Sequence, residues 1–401
     1  MEQQKASKAS MPGWLTILLA VSCGIIAANL YYAQTLVGPI SEATGLSSAA
    51  AGLIVTITQV GYVLGLLFIV PLSDIIENRN LAVFSLSVVV LALFAAMAAR
   101  SAALFLTASL VIGLGSVVAQ ILVPYATYLA SEEERGRVVG NVMSGLLFGI
   151  MFARPVASFI ASFANWQAVF LMSGVLLALL IILLFFALPK RKPTPTVHYG
   201  ALIVSLGAIF KQTPILRRRA FYQASLFGAF SLFWTVIPLH LANHYGVSQR
   251  GIAWFALAGV GGAVAAPIAG RLADRGWTRK LTGAAISLAA ISFLIALVLP
   301  NHSIASLAIL VVVAITLDMA VSGNLVLGQR AIYSLGQQSR GRINGLFMSI
   351  FFVGGAVGSS IGGWAYAHGG WKLAALIGFL LPVIAFVYYL TEKKSAPHVA
   401  K

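Results

Sequence analysis

Long apolar stretches alternate with short polar breaks along the chain. They run over 14–37, 50–71, 81–99, 103–124, 138–162 and 166–188. After a longer hydrophilic interval they resume over 221–242, 252–270, 281–300, 304–328, 343–364 and 371–391. A helix needs ~20 mainly apolar residues to cross a bilayer, so each stretch predicts one transmembrane helix, twelve in 401 residues. A membrane β-barrel is excluded: its strands alternate over segments of about ten residues, whereas these runs are continuous.

Composition closes the remaining alternatives. Apolar residues make up 60% of the chain and charged residues 9%, against ~25% charged in a soluble domain. That excludes a water-soluble enzyme, and the hydrophobicity excludes a disordered chain. A net charge of +16 would suggest a nucleic-acid partner in a soluble protein. In a membrane protein it follows from the collection of Lys and Arg on cytoplasmic segments. With both termini cytoplasmic, 21 of the 26 Lys and Arg residues fall on that side. Arg100, Arg250 and Lys372 fall outside, Arg154 lies within a span, and Arg330 lies near the inner end of another. The reading is a multi-pass protein of the inner (cytoplasmic) membrane with no nucleic-acid partner. The first apolar run follows Lys5 and Lys8 without a convincing cleavage site, so it is read as a retained span. The single cysteine, Cys23, rules out a disulfide framework and a thiol-based metal site.

The interval between the two sets of six stretches carries Lys190, Arg191, Lys192, Lys211 and the run Arg217, Arg218, Arg219. Residues 199–210 within it predict a helix lying on the membrane surface. The chain thus divides into an N-terminal six-helix bundle (1–188), a cytoplasmic linker (189–219) and a C-terminal six-helix bundle (220–401). The halves repeat. Leu72-Ser73-Asp74 returns as Leu272-Ala273-Asp274, and Arg135-Gly136-Arg137 as Arg340-Gly341-Arg342. At the second offset Gly140, Met143, Ser144, Gly149 and Trp166 match Gly345, Met348, Ser349, Gly354 and Trp371. Charged loop residues in phase are hard to obtain by chance, so two pseudo-symmetric bundles are expected, a known transporter plan.

Gly270-Arg271-Leu272-Ala273-Asp274-Arg275-Gly276-Trp277-Thr278-Arg279-Lys280 lies in the loop after span eight. It closely resembles the loop signature G-x-L-A-D-R-x-G-R-[KR] of the major facilitator superfamily, with the second glycine displaced by one place. Span count, orientation, central linker and repeated loops extend the resemblance over the whole chain. An aspartate there can cap a helix and pair with arginines of a neighbouring loop. Gly270, Asp274, Arg275 and Arg279, with the degenerate first-half copy Asp74 and Arg79, are therefore candidates for a conformational latch. Within the superfamily the chain is most like the twelve-span drug:proton antiporter branch. It departs from that branch at Ser109, where span four usually carries an arginine. It departs again at Arg154-Pro155, followed by Ala157, where span five usually carries Gly-Pro followed by Gly-Gly.

A charge at mid-bilayer costs from ~2.5 to over 10 kcal/mol, so it marks an interior site with a purpose or a fixed partner. Asp318 in span ten is the sole embedded carboxylate, and Arg154 in span five is the sole deep cation. Helical rise puts them ~9 Å apart in depth, bridged only with tilt and an extended arginine. At the repeat offset they correspond to Gly113 and Ser359, so neither belongs to the shared scaffold. The resemblance implies that spans one, four, seven and ten line a central cavity. Asp318 and Arg154 are the candidates for proton coupling, and Tyr32, Gln34, Gln120, Trp234 and Asn324 for contacts to an amphipathic solute. Each also has a plain structural reading as an interfacial or helix-linking residue.

No cofactor or metal is expected: His240 and His244 are four residues apart, with no carboxylate close in sequence. A P-loop is absent, as is any cluster of catalytic groups. The expected function is secondary transport by a monomer, proton-coupled export of a small amphipathic organic compound by alternating access. The alternative is a uniporter or importer of a sugar-like or organic-anion solute.

Overall fold

The computed structural model describes residues 11–193, 198–299, 303–333 and 340–392. The chain ends, with Lys5 and Lys8, and the side chain of Arg340 lie outside the described residues. Among those described, regular structure is helix alone. The N-terminal half comprises α1 (Gly13–Ala28), α2 (Val37–Thr44), α3 (Leu53–Phe68), α4 (Asn78–Met97), α5 (Ala102–Gly115), α6 (Val118–Leu129), α7 (Arg135–Phe163) and α8 (Trp166–Ala187). The helix predicted in the linker is α9 (Tyr199–Gln212). The second half comprises α10 (Pro214–Tyr245), α11 (Gln249–Ala256), α12 (Gly261–Asp274), α13 (Thr278–Val298), α14 (Ile304–Tyr333) and α15 (Arg340–Leu390).

Ten helical segments among the described residues are individually long and apolar enough to cross a bilayer. Two local features bring the passages to twelve. The 51-residue α15 bends at Gly370, whose φ of +59° a side chain would disfavour. It therefore supplies two passages, those predicted at 343–364 and 371–391. The first passage is not one continuous helix because it is interrupted after Ala28. The Asn29 side-chain amide donates to the carbonyls of Ile25 (3.0 Å) and Ile26 (3.4 Å), and its oxygen accepts from Ser173 Oγ (2.7 Å). A short polar side chain that captures backbone carbonyls competes with the helix. A 3₁₀ turn, Tyr32–Thr35, follows before α2 resumes the passage. The seventh helix starts at Pro214 rather than near 221, because Arg218 and Arg219 find polar partners and stay helical.

The repeat read from the sequence has a packing basis. A Cβ on Gly149 of α7 would lie 2.1 Å from the Gly24 carbonyl oxygen of α1. A Cβ on its counterpart Gly354 of α15 would lie 2.2 Å from the Ala224 carbonyl oxygen of α10. Both crossings are backbone against backbone, the close approach that small residues permit inside membranes. The architecture is an all-α membrane protein, twelve spans in two pseudo-symmetric six-helix bundles. Between the halves, α3 packs on α15 and α7 on α11, while the Tyr32–Thr35 turn meets α10.

Candidate functional site

The embedded cation and the embedded carboxylate singled out in the sequence meet. Arg154 Nη2 lies 3.4 Å from Asp318 Oδ1, and the Trp234 indole N–H donates to Asp318 Oδ2 at 2.9 Å. Depth counting along ideal helices made a direct bridge marginal. Packing of α7 against α11 and the adjoining Leu257–Val260 turn brings the two bundles together at this level. Both charges are almost fully buried, at 1% and 3% exposed. Trp234 is buried with them, so three spans of the two halves converge on one carboxylate.

Aromatic rings enclose the guanidinium. Its carbon lies 4.0 Å from the Trp234 ring centroid, 5.0 Å from Phe230 and 5.9 Å from Tyr31. Ring faces are negative and attract a cation, more strongly where water is excluded. Gly259 supplies the remaining wall: a Cβ there would lie 3.2 Å from Arg154 Nη1. Arg154 Nε and Nη1 have no hydrogen-bond partner among the described residues. The carboxylate uses one of the arginine's nitrogens and leaves the others facing rings.

The other predicted cavity residues fall elsewhere. Gln120 donates to the Tyr62 hydroxyl (3.2 Å), and Tyr62 stacks at a tilt on Phe352 of the other half (4.4 Å). Asn324 donates to Gln223 Oε1 (2.7 Å), whose amide donates to the Val321 carbonyl (3.2 Å). Tyr32 and Gln34 are buried in the turn that interrupts the first span, and neither amide atom of Gln34 has a partner among the described residues. A cavity of about 860 Å³ runs between α1 and the first half of α7, with Glu134, Arg137, Asn141 and Ser144 among its polar lining. None of the predicted residues lines it.

Hydrogen bonds sew the halves together from one end of the spans towards their middle. Thr56 and Ser359 hydroxyls bond at 2.8 Å, and Gln59 donates to Ser231 (2.9 Å). Gln249 at the start of α11 donates to Ser158 Oγ of α7 (2.6 Å) and to the Thr35 carbonyl (3.1 Å). The sequence reading missed Gln249, Phe230 and Gly259. Phe230 had a signal, one helical turn before Trp234. Gln249 had none, being an ordinary polar residue at a span end. Gln249→Ala removes two bonds between halves, each worth about 1 kcal/mol. The expected result is a shift of about thirtyfold, the equivalent of those two bonds, towards a form separated at this end. Pulsed electron resonance between labels at Ser47 and His368, in a Cys23→Ser background, should then show a longer distance. An unchanged distribution would refute this role.

The loop residues form three groups. Asp274 pairs with Arg330 at the end of α14, beside Gly270; Arg275 is exposed. Arg79 donates to the carbonyls of Phe185 (3.1 Å) and Leu188 (3.5 Å), and Arg279 donates to the Glu392 carbonyl (2.8 Å). Each of these arginines ties the third span of its half to the end of the sixth. Burial raises the pKa of Asp74 above the ordinary carboxylate value, and the positive charges of Arg191 and of Arg342 from the opposite half oppose that rise.

Two helical bundles closing on a buried ion pair define a membrane transporter for a small molecule. The chain belongs to the Major Facilitator Superfamily, whose family model matches residues 17–334 and 219–401. It is 38% identical over 371 residues to the uncharacterized transporter YgaY of Escherichia coli O157:H7, covering 92% of this chain and 93% of that protein. It is 31% identical over 358 residues to the probable transporter SCO4007 of Streptomyces coelicolor, covering 88% and 82%. The bacterial homolog of the human lysosomal transporter Spinster, in its inward-facing and unoccupied conformation, shares the fold with a TM-score of 0.74 at 14% identity, over 96% of this chain and 97% of that one. Members of this family are transporters, not enzymes.

Proposed function

We propose that this transporter exports a small amphipathic organic compound in exchange for protons, by alternating access around the Arg154–Asp318 pair. It acts as a monomer in the inner membrane with both termini cytoplasmic, bundles 1–188 and 220–401 rocking about the linker 189–219. In that orientation the end joined through Gln249, Thr35, Thr56 and Ser359 is the outer one. The observation that carries the reading is a lone carboxylate held by partners from both halves. Protonating Asp318 removes the charge that binds Arg154 and so loosens a contact between bundles. Substrate bound beside Trp234 then meets a site open to the other side. Asp74 and Asp274 with Arg330 act as loop contacts that differ between the two states.

One observation favours a second reading. Arg154 Nε and Nη1, which have no hydrogen-bond partner among the described residues, suit an organic anion that displaces the carboxylate, in a uniporter or importer. Proteoliposomes screened against amphipathic cations, neutral drugs, sugars and organic anions separate the two. Coupled export predicts that an imposed pH gradient drives accumulation of an amphipathic compound at least tenfold over passive controls. Accumulation indifferent to the gradient, confined to anions, would replace this reading by the second.

A further inference from the structure

A second groove lies at the opposite end of the spans from the sewn contacts. Phe210 of α9, Arg217 and Phe221 of α10, and Ile350 and Tyr388 of α15 line a cavity of about 340 Å³. Four of the five are apolar or aromatic, and the fifth is a cation. The three consecutive arginines at the start of α10 have divided their roles. Arg219 pairs with Glu392 at 2.8 Å and donates to Thr282. Arg218 bonds the Tyr222 hydroxyl and the Tyr388 carbonyl, with its guanidinium 4.3 Å from the Tyr388 ring centroid. Arg217 is exposed and has no ion-pair partner among the described residues. Lys211, next to Phe210, is exposed as well.

We propose that this groove binds an anionic phospholipid, phosphate against Arg217 and Lys211 and acyl chain along Phe221, Ile350 and Tyr388. Three features select that occupant. Arg217 stands at the boundary of a membrane span, Pro214–Tyr245, where headgroups lie. The walls below it are apolar, as a chain of methylenes requires and a free anion does not. The positive charge is in excess, because Glu392, the acid of this cluster, is already engaged by Arg219 and the Tyr222 hydroxyl. A basic residue at the membrane surface strengthens binding of anionic lipid about fivefold. The groove also joins the linker helix α9 to both α10 and α15, so a bound lipid would brace the linker against the second bundle.

Native mass spectrometry of the full chain, extracted from bilayers with equal phosphatidylglycerol and phosphatidylcholine of identical acyl chains, tests the proposal. Wild type is expected to retain phosphatidylglycerol preferentially. Arg217→Gln should lower that preference about fivefold, Arg217→Lys should keep it, and Ile350→Trp, which fills the groove, should lower retention of the lipid without touching the charge. Glycerol 3-phosphate added at the same concentration should not displace the lipid. Equal retention of both lipids by wild type, an unchanged preference in Arg217→Gln, or displacement by glycerol 3-phosphate would each overturn the assignment. If Arg217→Gln does not fold, Ile350→Trp decides the matter against Arg217→Lys: equal lipid retention by these two variants would also overturn it. The outcome is independent of whether protons drive transport.

Discussion

Asp318→Asn should abolish accumulation driven by a pH gradient while leaving the protein folded in the membrane. Asparagine has nearly the shape of aspartate and can accept the indole N–H of Trp234 (2.9 Å in the native pair), but it cannot exchange a proton. The variant therefore mimics one protonation state permanently. Gradient-driven uptake in proteoliposomes should fall at least a hundredfold, to the level of empty vesicles. Equilibrative exchange of labelled for unlabelled substrate should survive, because the two bundles can still rock once the carboxylate no longer holds Arg154. Wild-type accumulation in this variant would remove Asp318 from coupling. Loss of both activities in a folded protein would place it in substrate binding instead.

Arg154→Ala carries the second large effect, and it falls on stability. Removing one member of a buried ion pair leaves the other charge without compensation, a loss of about 3–5 kcal/mol. Here the penalty has a further source, since the guanidinium also fills space between Trp234, Phe230, Tyr31 and Gly259. The double variant Arg154→Ala with Asp318→Asn should recover a large part of the loss, because the remaining group is then neutral. Thermal unfolding in detergent, followed through tryptophan fluorescence, measures this as a double-mutant cycle. Equal melting temperatures for wild type and Arg154→Ala would mean that the pair contributes nothing to holding the bundles.

Much of this fold was legible in the chain because hydrocarbon leaves little choice: twelve apolar runs must be helices, since only internal hydrogen bonding satisfies a backbone there. The repeat was legible where it touched glycine, as at Gly149 and Gly354, whose equivalence reappears as two matching helix crossings. The interruption at Asn29 was not, because one asparagine in an apolar run resembles many that leave helices intact. Its effect depends on Ser173, 144 positions away in sequence. Asp318 and Arg154 stood out individually through the cost of embedding a charge. Their direct contact did not, because it depends on tilt and on the approach of α7 to α11, which periodicity along a single helix cannot register. Gln120 and Asn324 carried the same polar signal as Trp234, yet they link helices at other levels. A polar residue in a span announces that it needs a partner without saying whether that partner is a neighbour or a solute.

Chemical modification of Asp318 by a hydrophobic carbodiimide, which reacts with protonated carboxyls, tests the coupling role without knowledge of the substrate. Membranes would be treated across a range of pH and the Asp318 peptide quantified by mass spectrometry. A carboxyl that exchanges protons as the bundles rock should be modified increasingly as the pH falls. An Asp318 left unmodified at every pH, in a preparation active in transport, would contradict that role.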